Sequence, residues 1–380
     1  MMAAIAWSVG CATLRPSVPV RDAETVSHLS GLLMMECLSS GARICAFDLP
    51  TGRRVRVVTL DCEENCLEPS LSSNSAKIVF IQGSSQVSDV WQVDVNGHDS
   101  QPLIQDEAFK ADPAWSPDGI LIAYRVLEDP YTLPNSTLQV HRHSSLHVAS
   151  PDGTEEDRLT PQDGYVSAFS WAPDGDQIVI SARLEDLNQD NFINHRDRAR
   201  LYIVDLTSRE IRTVIPDVAP ELSMHRPAWS SDGEHIAYIE GHGDLEAHGD
   251  LVIVKADDGS EVTRLEVAPG GAYSWSPGGE EIAYVKFRVA GRVGYDDLFV
   301  FDLSTQDVTC LTDTSLYSVF SAEELNGITL DDPVWSPDGR YVAFVWKVRG
   351  KDYIVVVSAD GSQLFRIADP GQYHLVAWGR

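Results

Sequence analysis

Residues 186–197 read DLNQDNFINHRD, with oxygen-bearing side chains falling on alternate positions. Asp186, Asn188, Asp190 and Asn194 share that alternation, Phe192 between them would offer its main-chain carbonyl, and Asp197 closes the stretch. Oxygens so spaced point into one concavity, and Ca2+, a hard cation, takes six or more of them. These six residues are the candidate Ca2+ ligands. The competing reading is an Asn/Asp-rich hairpin tip without metal. At the sharp bend stands Asn191, the residue that best tolerates a positive φ after glycine.

A second alternation, GHGDLEAHGD, places His242, Asp244, Glu246, His248 and Asp250 in one register. Two imidazoles with carboxylates suit a transition metal, but such a run equally makes a solvated hairpin tip. The HRH of His141–His143 is a weaker pair. No G-x-S-x-G elbow, P-loop or G-x-G-x-x-G stands in the chain, so no nucleophile or phosphate cradle is legible. The cysteines are Cys11, Cys37, Cys45, Cys62, Cys66 and Cys310. Their spacing argues against a zinc site. Cys37 with Cys45, and Cys62 with Cys66, could close in an oxidising compartment, whereas Cys310 reads as a free thiol.

The chain carries a formal net charge of -28 over 380 residues. That field repels phosphate backbones and anionic lipid headgroups, so nucleic acid is excluded as an expected partner. The opening MMAAIAWSVGCATLRP is too short an apolar run to span a bilayer. It looks like the end of a secretion signal running into a lipoprotein cleavage site, with Cys11 as the acylated residue; a disordered tail is the other reading. Residues 1–28 are therefore expected to be a signal-like segment and tether, and membrane association to run through that anchor alone. The expected setting is extracytoplasmic, periplasm or cell surface, and the expected state a monomer.

The elements that must hold these candidates repeat. DPAWSPDGILIAY begins at Asp112, FSWAPDGDQIVIS at Phe169, RPAWSSDGEHIAY at Arg226, AYSWSPGGEEIAY at Ala272 and DPVWSPDGRYVAF at Asp332. A degenerate copy, EPSLSSNSAKIVF, begins at Glu68, with Leu71 for the tryptophan and Asn74 for the aspartate. HLVAWGR ends the chain. Each copy reads as a short strand, a Pro-Asp-Gly turn and a longer β-branched and aromatic strand. A third strand and a turn into a fourth follow, as in LYIVDL with EIRTVIPD. Four strands per repeat make a propeller blade. The anchors Leu71, Trp115, Trp171, Trp229, Trp275, Trp335 and Trp378 count seven blades. The N-terminal segment supplies three strands of its blade and HLVAW the innermost, so the C-terminal strand is expected beside residues 32–37, closing the ring and hiding sheet edges. The fold class expected for residues 29–380 is all-β, a single seven-bladed propeller.

The W-S-P-D-G signature resembles the TolB-like, WD-repeat-like propeller family, which shares its repeat with the propellers of prolyl oligopeptidases. Residues 186–197 resemble a dockerin or EF-hand-type calcium loop, here inserted between two strands. In such a propeller the short turns close one face. The insertions at 127–135, 184–198, 241–249, 289–295 and 313–330 all fall on the other. Function usually sits on long loops over a rigid scaffold. The resemblance, the missing catalytic motifs and the possible anchor set the expectation of a non-enzymatic binding or scaffold protein of the bacterial envelope. It would grip a protein or glycan on the looped face. One alternative is a propeller enzyme acting on glycans, a lyase or hydrolase, with its site at the central channel. The other is an orphan propeller of a prolyl-oligopeptidase-like system, since no span of the chain is left over for an α/β-hydrolase domain.

Overall fold

The computed structural model describes residues 20–22, 31–38, 41–48, 53–60, 65–83, 87–95, 98–132, 139–187, 193, 197–216, 218–219, 221–242, 249–290, 293–312, 329–348, 350–366 and 373–379. Among the described residues every regular element is a β-strand.

The first sheet contains β1 (Val20–Asp22), β2 (Gly31–Leu38), β3 (Gly41–Asp48) and β4 (Arg53–Leu60). Four strands follow as β5 (Asn65–Leu71), β6 (Lys77–Gly83), β7 (Ser88–Asp94) and β8 (Gln101–Ile104), then β9 (Phe109–Trp115), β10 (Ile122–Thr132), β11 (Gln139–Ala149) and β12 (Glu156–Arg158). The next set is β13 (Tyr165–Trp171), β14 (Gln177–Arg183), β15 (Arg200–Asp205) and β16 (Ile211–Thr213). Then come β17 (Leu222–Trp229), β18 (His235–His242), β19 (Gly249–Lys255) and β20 (Glu261–Glu266). The sets β21 (Tyr273–Trp275), β22 (Glu281–Ala290), β23 (Val293–Asp302), β24 (Val308–Cys310) and β25 (Thr329–Trp335), β26 (Tyr341–Val348), β27 (Lys351–Ser358), β28 (Leu364–Arg366) complete the series. The last strand, β29 (Tyr373–Gly379), runs antiparallel to β2 with Leu32 opposite Trp378 and Glu36 opposite Tyr373.

Within each set the order follows the chain, as short connections favour. The β9–β12 and β13–β16 sets are joined into one eight-stranded sheet by a parallel bridge from Ser144 to Tyr165. That bridge brings the loop before β13 against the middle of β11.

The repeat motif explains the turns. Gly119, Gly175, Gly233 and Gly339 adopt φ of 76°, 80°, 82° and 69°, the left-handed region that glycine enters without penalty. Ser116 Oγ donates to Asp118 Oδ1 at 2.5 Å and receives the Leu121 amide at 2.9 Å. Ser336 with Asp338 and Ser72 with Asn74 repeat the clasp at 2.7 and 2.8 Å. Asn74 thus serves where the repeat carries aspartate.

The anchor tryptophans pack between neighbouring sheets. Trp171, Trp275, Trp335 and Trp378 donate from Nε1 to the carbonyls of Ala114, Ala228, Ser274 and Val334. Those carbonyls lie on the first strand of a preceding set. Trp229 departs, donating to Gly233 within its own turn. Faces stack in turn: Leu146 and Val148 pack with Ile178, Ile180 and Tyr202. Likewise Val285, Leu298 and Val300 pack with Trp335, Phe344, Trp346 and Val355. Burial of these faces is the main stabilising term.

The register corrects one cysteine expectation. On the β2–β3 hairpin Cys37 lies opposite Ala42 and Cys45 opposite Met34. The two cysteines are three residue pairs apart, roughly 10 Å at strand rise, beyond the span of a disulfide. Cys310 is a half-buried thiol outside any disulfide. Cys11 and Cys62 lie outside the described residues.

Candidate functional site

The β10–β11 hairpin carries Glu128 opposite His143 and Pro130 opposite His141. This register places the imidazoles of the HRH run beside two acidic residues that sequence reading did not single out. Asp129, between them, adopts a φ of 51°, a left-handed conformation that a non-glycine residue holds only when its surroundings enforce it.

The loop before β13 completes the site. Asp163 O lies 3.2 Å from His143 Nδ1. A carbonyl only accepts, so Nδ1 carries a proton there. His143 Nε2 faces Asp129 Oδ2 at 3.6 Å. Gln162 Nε2 donates to Glu128 Oε1 at 3.3 Å, while Glu128 Oε2 is buried with no hydrogen-bond partner. The His141 ring packs on Phe109 at 5.3 Å between centroids. Burial, with the Arg125 guanidinium adding to it, holds its imidazole below the usual histidine range.

Two cavities meet at this hairpin. One of about 340 Å³ is lined by Glu107, Phe109, Asp129 and His141; the other, of about 360 Å³, by His143, Gln162 and Asp163. Glu128 and Asp129 line both. A base with a fixed tautomer, a second imidazole and two carboxylates around a cavity are the parts general acid–base chemistry needs. The signal in sequence was the HRH run itself, two imidazoles on alternate positions of one strand.

The predicted calcium loop is described in part. Asp197 is buried, and its Oδ1 accepts the Leu187 amide at 2.9 Å. Its carbonyl takes the Arg183 Nε–H at 2.8 Å. The second and twelfth positions of the loop are thereby clasped, with Asp186 beside them. Asn188, Asp190, Phe192 and Asn194 lie outside the described residues. So do Asp244, Glu246 and His248 of the second alternation. Asp250 sits on β19, 3.4 Å from Arg264 Nη1.

Among the described residues, Asp232, Glu234 and His235 bring their ligand atoms within 4.8 Å of one another. They occupy the turn between β17 and β18. Asp232 Oδ1 there accepts the Glu234 amide at 2.9 Å and the Ser230 hydroxyl. This is the turn clasp found at Ser116 and Ser336, so the fold alone accounts for that aspartate.

No family model matches the chain. It is 23% identical over 207 residues to the uncharacterized peptidase YuxL of Bacillus subtilis, covering 45% of this chain and 29% of that one. It is 25% identical over 275 residues to dipeptidyl-peptidase 5 of Porphyromonas endodontalis, covering 63% and 36%. The chain thus spans about a third of the length of these relatives. Its structural neighbours are TolB-like β-propeller proteins. An oligogalacturonate lyase in complex with manganese matches with a TM-score of 0.63 at 14% identity, over 87% of this chain and 88% of that one. A puromycin hydrolase matches with a TM-score of 0.62 at 14% identity, over 96% and 55%.

These findings correct the functional expectation. Two of the relatives that match in sequence carry peptidase names, and the lyase and the hydrolase among the structural neighbours carry enzyme names, so the reading of a non-enzymatic binding scaffold is overturned. Its error was to treat a missing contiguous motif as a missing site. Glu128, His143 and Gln162 come together through hairpin register and a neighbouring loop, which no short motif records.

Proposed function

We propose that the chain is a propeller enzyme that cleaves an oligomeric substrate, a glycan by lyase or hydrolase chemistry, at the looped face. The observation that carries this is His143, its tautomer fixed by Asp163 O and its Nε2 turned toward Asp129 beside cavities walled by Glu128. In this mechanism His143 Nε2 takes the proton from water or from the substrate carbon next to a carboxyl. Asp129 stabilises the imidazolium formed. Glu128, steadied by Gln162, gives a proton to the leaving oxygen as the bond from that oxygen to the sugar carbon breaks. His143→Ala or Glu128→Gln should lower cleavage by about 10²–10⁴-fold with folding unchanged.

A second reading is favoured by the sequence likeness to peptidases: the propeller serves a peptidase of the prolyl-oligopeptidase kind and admits peptides at the same face. A panel of neutral, acidic and basic glycan oligomers beside peptides of matched length separates the two. Glycan cleavage lost in His143→Ala supports the first reading; peptide cleavage that survives it supports the second.

Three further readings belong with this one. The sets are blades of a seven-bladed ring closed between β2 and β29, and the Trp378 bond to Val334 supports it. Deletion after Tyr373 should then expose an edge and cause aggregation. Residues 186–197 hold a structural Ca2+, supported by the Leu187–Asp197 clasp. Calcium should raise the melting temperature through mass action, by about 2.7 kcal/mol at a hundredfold excess over Kd, and Asp190→Ala should abolish the rise. Lastly, the run ending at Cys11 supports an extracytoplasmic, lipid-anchored protein, in which Cys62 and Cys66 are oxidised; a monomer is the proposed state. Non-reducing alkylation with mass spectrometry tests that pair.

A further inference from the structure

A hydrogen-bonded series of serine, histidine and glutamate lies on the β11–β12 hairpin, apart from the looped-face cavities. Ser145 Oγ stands 3.1 Å from His147 Nε2, and His147 Nδ1 stands 3.0 Å from Glu156 Oε1. A carboxylate accepts, so Nδ1 carries the proton and Nε2 is the acceptor for the Ser145 hydroxyl. That is the order in which a base activates a nucleophile while a third group orients the base.

The repeat supplies an internal control on whether the fold demands these residues. Seven positions after each anchor tryptophan stand Ile122, Ile178, Ile236, Ile282 and Val342. Their third-strand partners are Ala149, Val204, Val254, Phe301 and Val357. Two residues before those partners stand His147, Tyr202, Val252, Phe299 and Val355. Only the first is an imidazole. On the fourth strand Glu156, Ile211, Glu261, Val308 and Leu364 are equivalent. Four other strand sets build the same hairpin without a Ser–His–Glu series, so the architecture does not require one.

We propose that Ser145 is an acyl-accepting nucleophile, with His147 as its base and Glu156 positioning the imidazole, and that it takes compact acyl esters. Ser145 is 1% exposed, opposite Val126 in the seam against β5–β8, whereas the His147 side chain is 16% exposed. Entry is therefore along the His147 edge, which excludes bulky acyl groups. In the step, Ser145 Oγ bonds to the acyl carbon and the bond from that carbon to the leaving oxygen breaks. The hydroxyl proton passes to His147 Nε2 and on to the leaving alkoxide. Water, deprotonated by His147, then cleaves the acyl-serine, releasing the acid and restoring the hydroxyl. Burial holds the His147 imidazole below its usual range, with Glu156 opposing that shift, so the base is neutral at pH 7.

The test treats the whole chain with p-nitrophenyl acetate and maps acetyl groups by peptide mass spectrometry. Acetylation at Ser145, absent in Ser145→Ala and slowed at least tenfold in His147→Gln, is the expected result. Glu156→Gln should move the midpoint of the rate–pH profile to lower pH, because a carboxylate that raises the imidazole has gone. That readout separates positioning from mere packing. Mapping the unsubstituted chain decides the matter even where a variant fails to fold. No acetyl at Ser145, or acetylation indifferent to His147→Gln, overturns the proposal. Oligomer cleavage through Glu128 and His143 is scored separately, so the two readings fail independently.

Discussion

The β25–β28 and β9–β12 sheets have the same strand order and the same serine–aspartate turn, yet their third strands read KDYIVVVS and QVHRHSSLHVA. In the first, Ile354, Val355, Val356 and Val357 are all fully buried. In the second, Ser145 and His147 stand where the first has Tyr353 and Val355, and both, like His143 further along the strand, are hydrogen-bonded. One sheet obeys the repeat and stabilises the fold; the other departs from it while keeping the same backbone. A repeat therefore separates what the architecture needs from what the chain adds.

The largest loss is expected in the sheet that obeys the repeat. Trp346 is 1% exposed against Tyr353 in that core, and Trp346→Ala should cost about 3–5 kcal/mol, read by denaturant unfolding. Exchanging the two strands' chemistry comes next. Val355→His buries an imidazole without its partners and should cost about 2 kcal/mol. His147→Val restores the residue type found elsewhere and should change stability by less than about 1 kcal/mol. Equal losses from both exchanges would erase the distinction.

A pH experiment sharpens it further. Asp296, buried on β23 beside β25, has its carboxyl raised to about 6, first by desolvation and then by Asp331 and Asp297. The Leu330 amide at 3.2 Å opposes this. The folded state thus binds a proton that the unfolded state has already lost, so stability falls as pH rises from about 4 to 6 and levels above. The loss should be on the order of 2 kcal/mol. Asp296→Asn should flatten that slope and be the more stable protein at pH 8; a slope unchanged in the variant would contradict the assignment.

The scaffold was legible because its signals are local. Ser116, Asp118 and Gly119 close a turn within four residues, and even the degenerate Ser72–Asn74 copy keeps the clasp. Much of the site was not. Glu128 meets His143 only through hairpin register, and Gln162 arrives from the loop ahead of the next sheet. Alternation alone could not tell that Cys37 and Cys45 fall out of register, since pairing depends on where the turn sets the strands. The Asp186–Asp197 spacing could be read from the sequence as a candidate metal loop, and most of its residues lie outside the described ones. Peptide or glycan preference leaves no mark in residue order, because the groups that would select it are spread over strand and loop.

Acid–base chemistry at the looped-face hairpin stands or falls on incubating the purified chain and the Glu128→Gln/His143→Ala double variant with the oligomer panel, with melting temperatures matched. Cleavage by the unsubstituted chain and its loss in the variant is the expected result. Cleavage undiminished in the variant, or no cleavage of any oligomer by the unsubstituted chain, would contradict it.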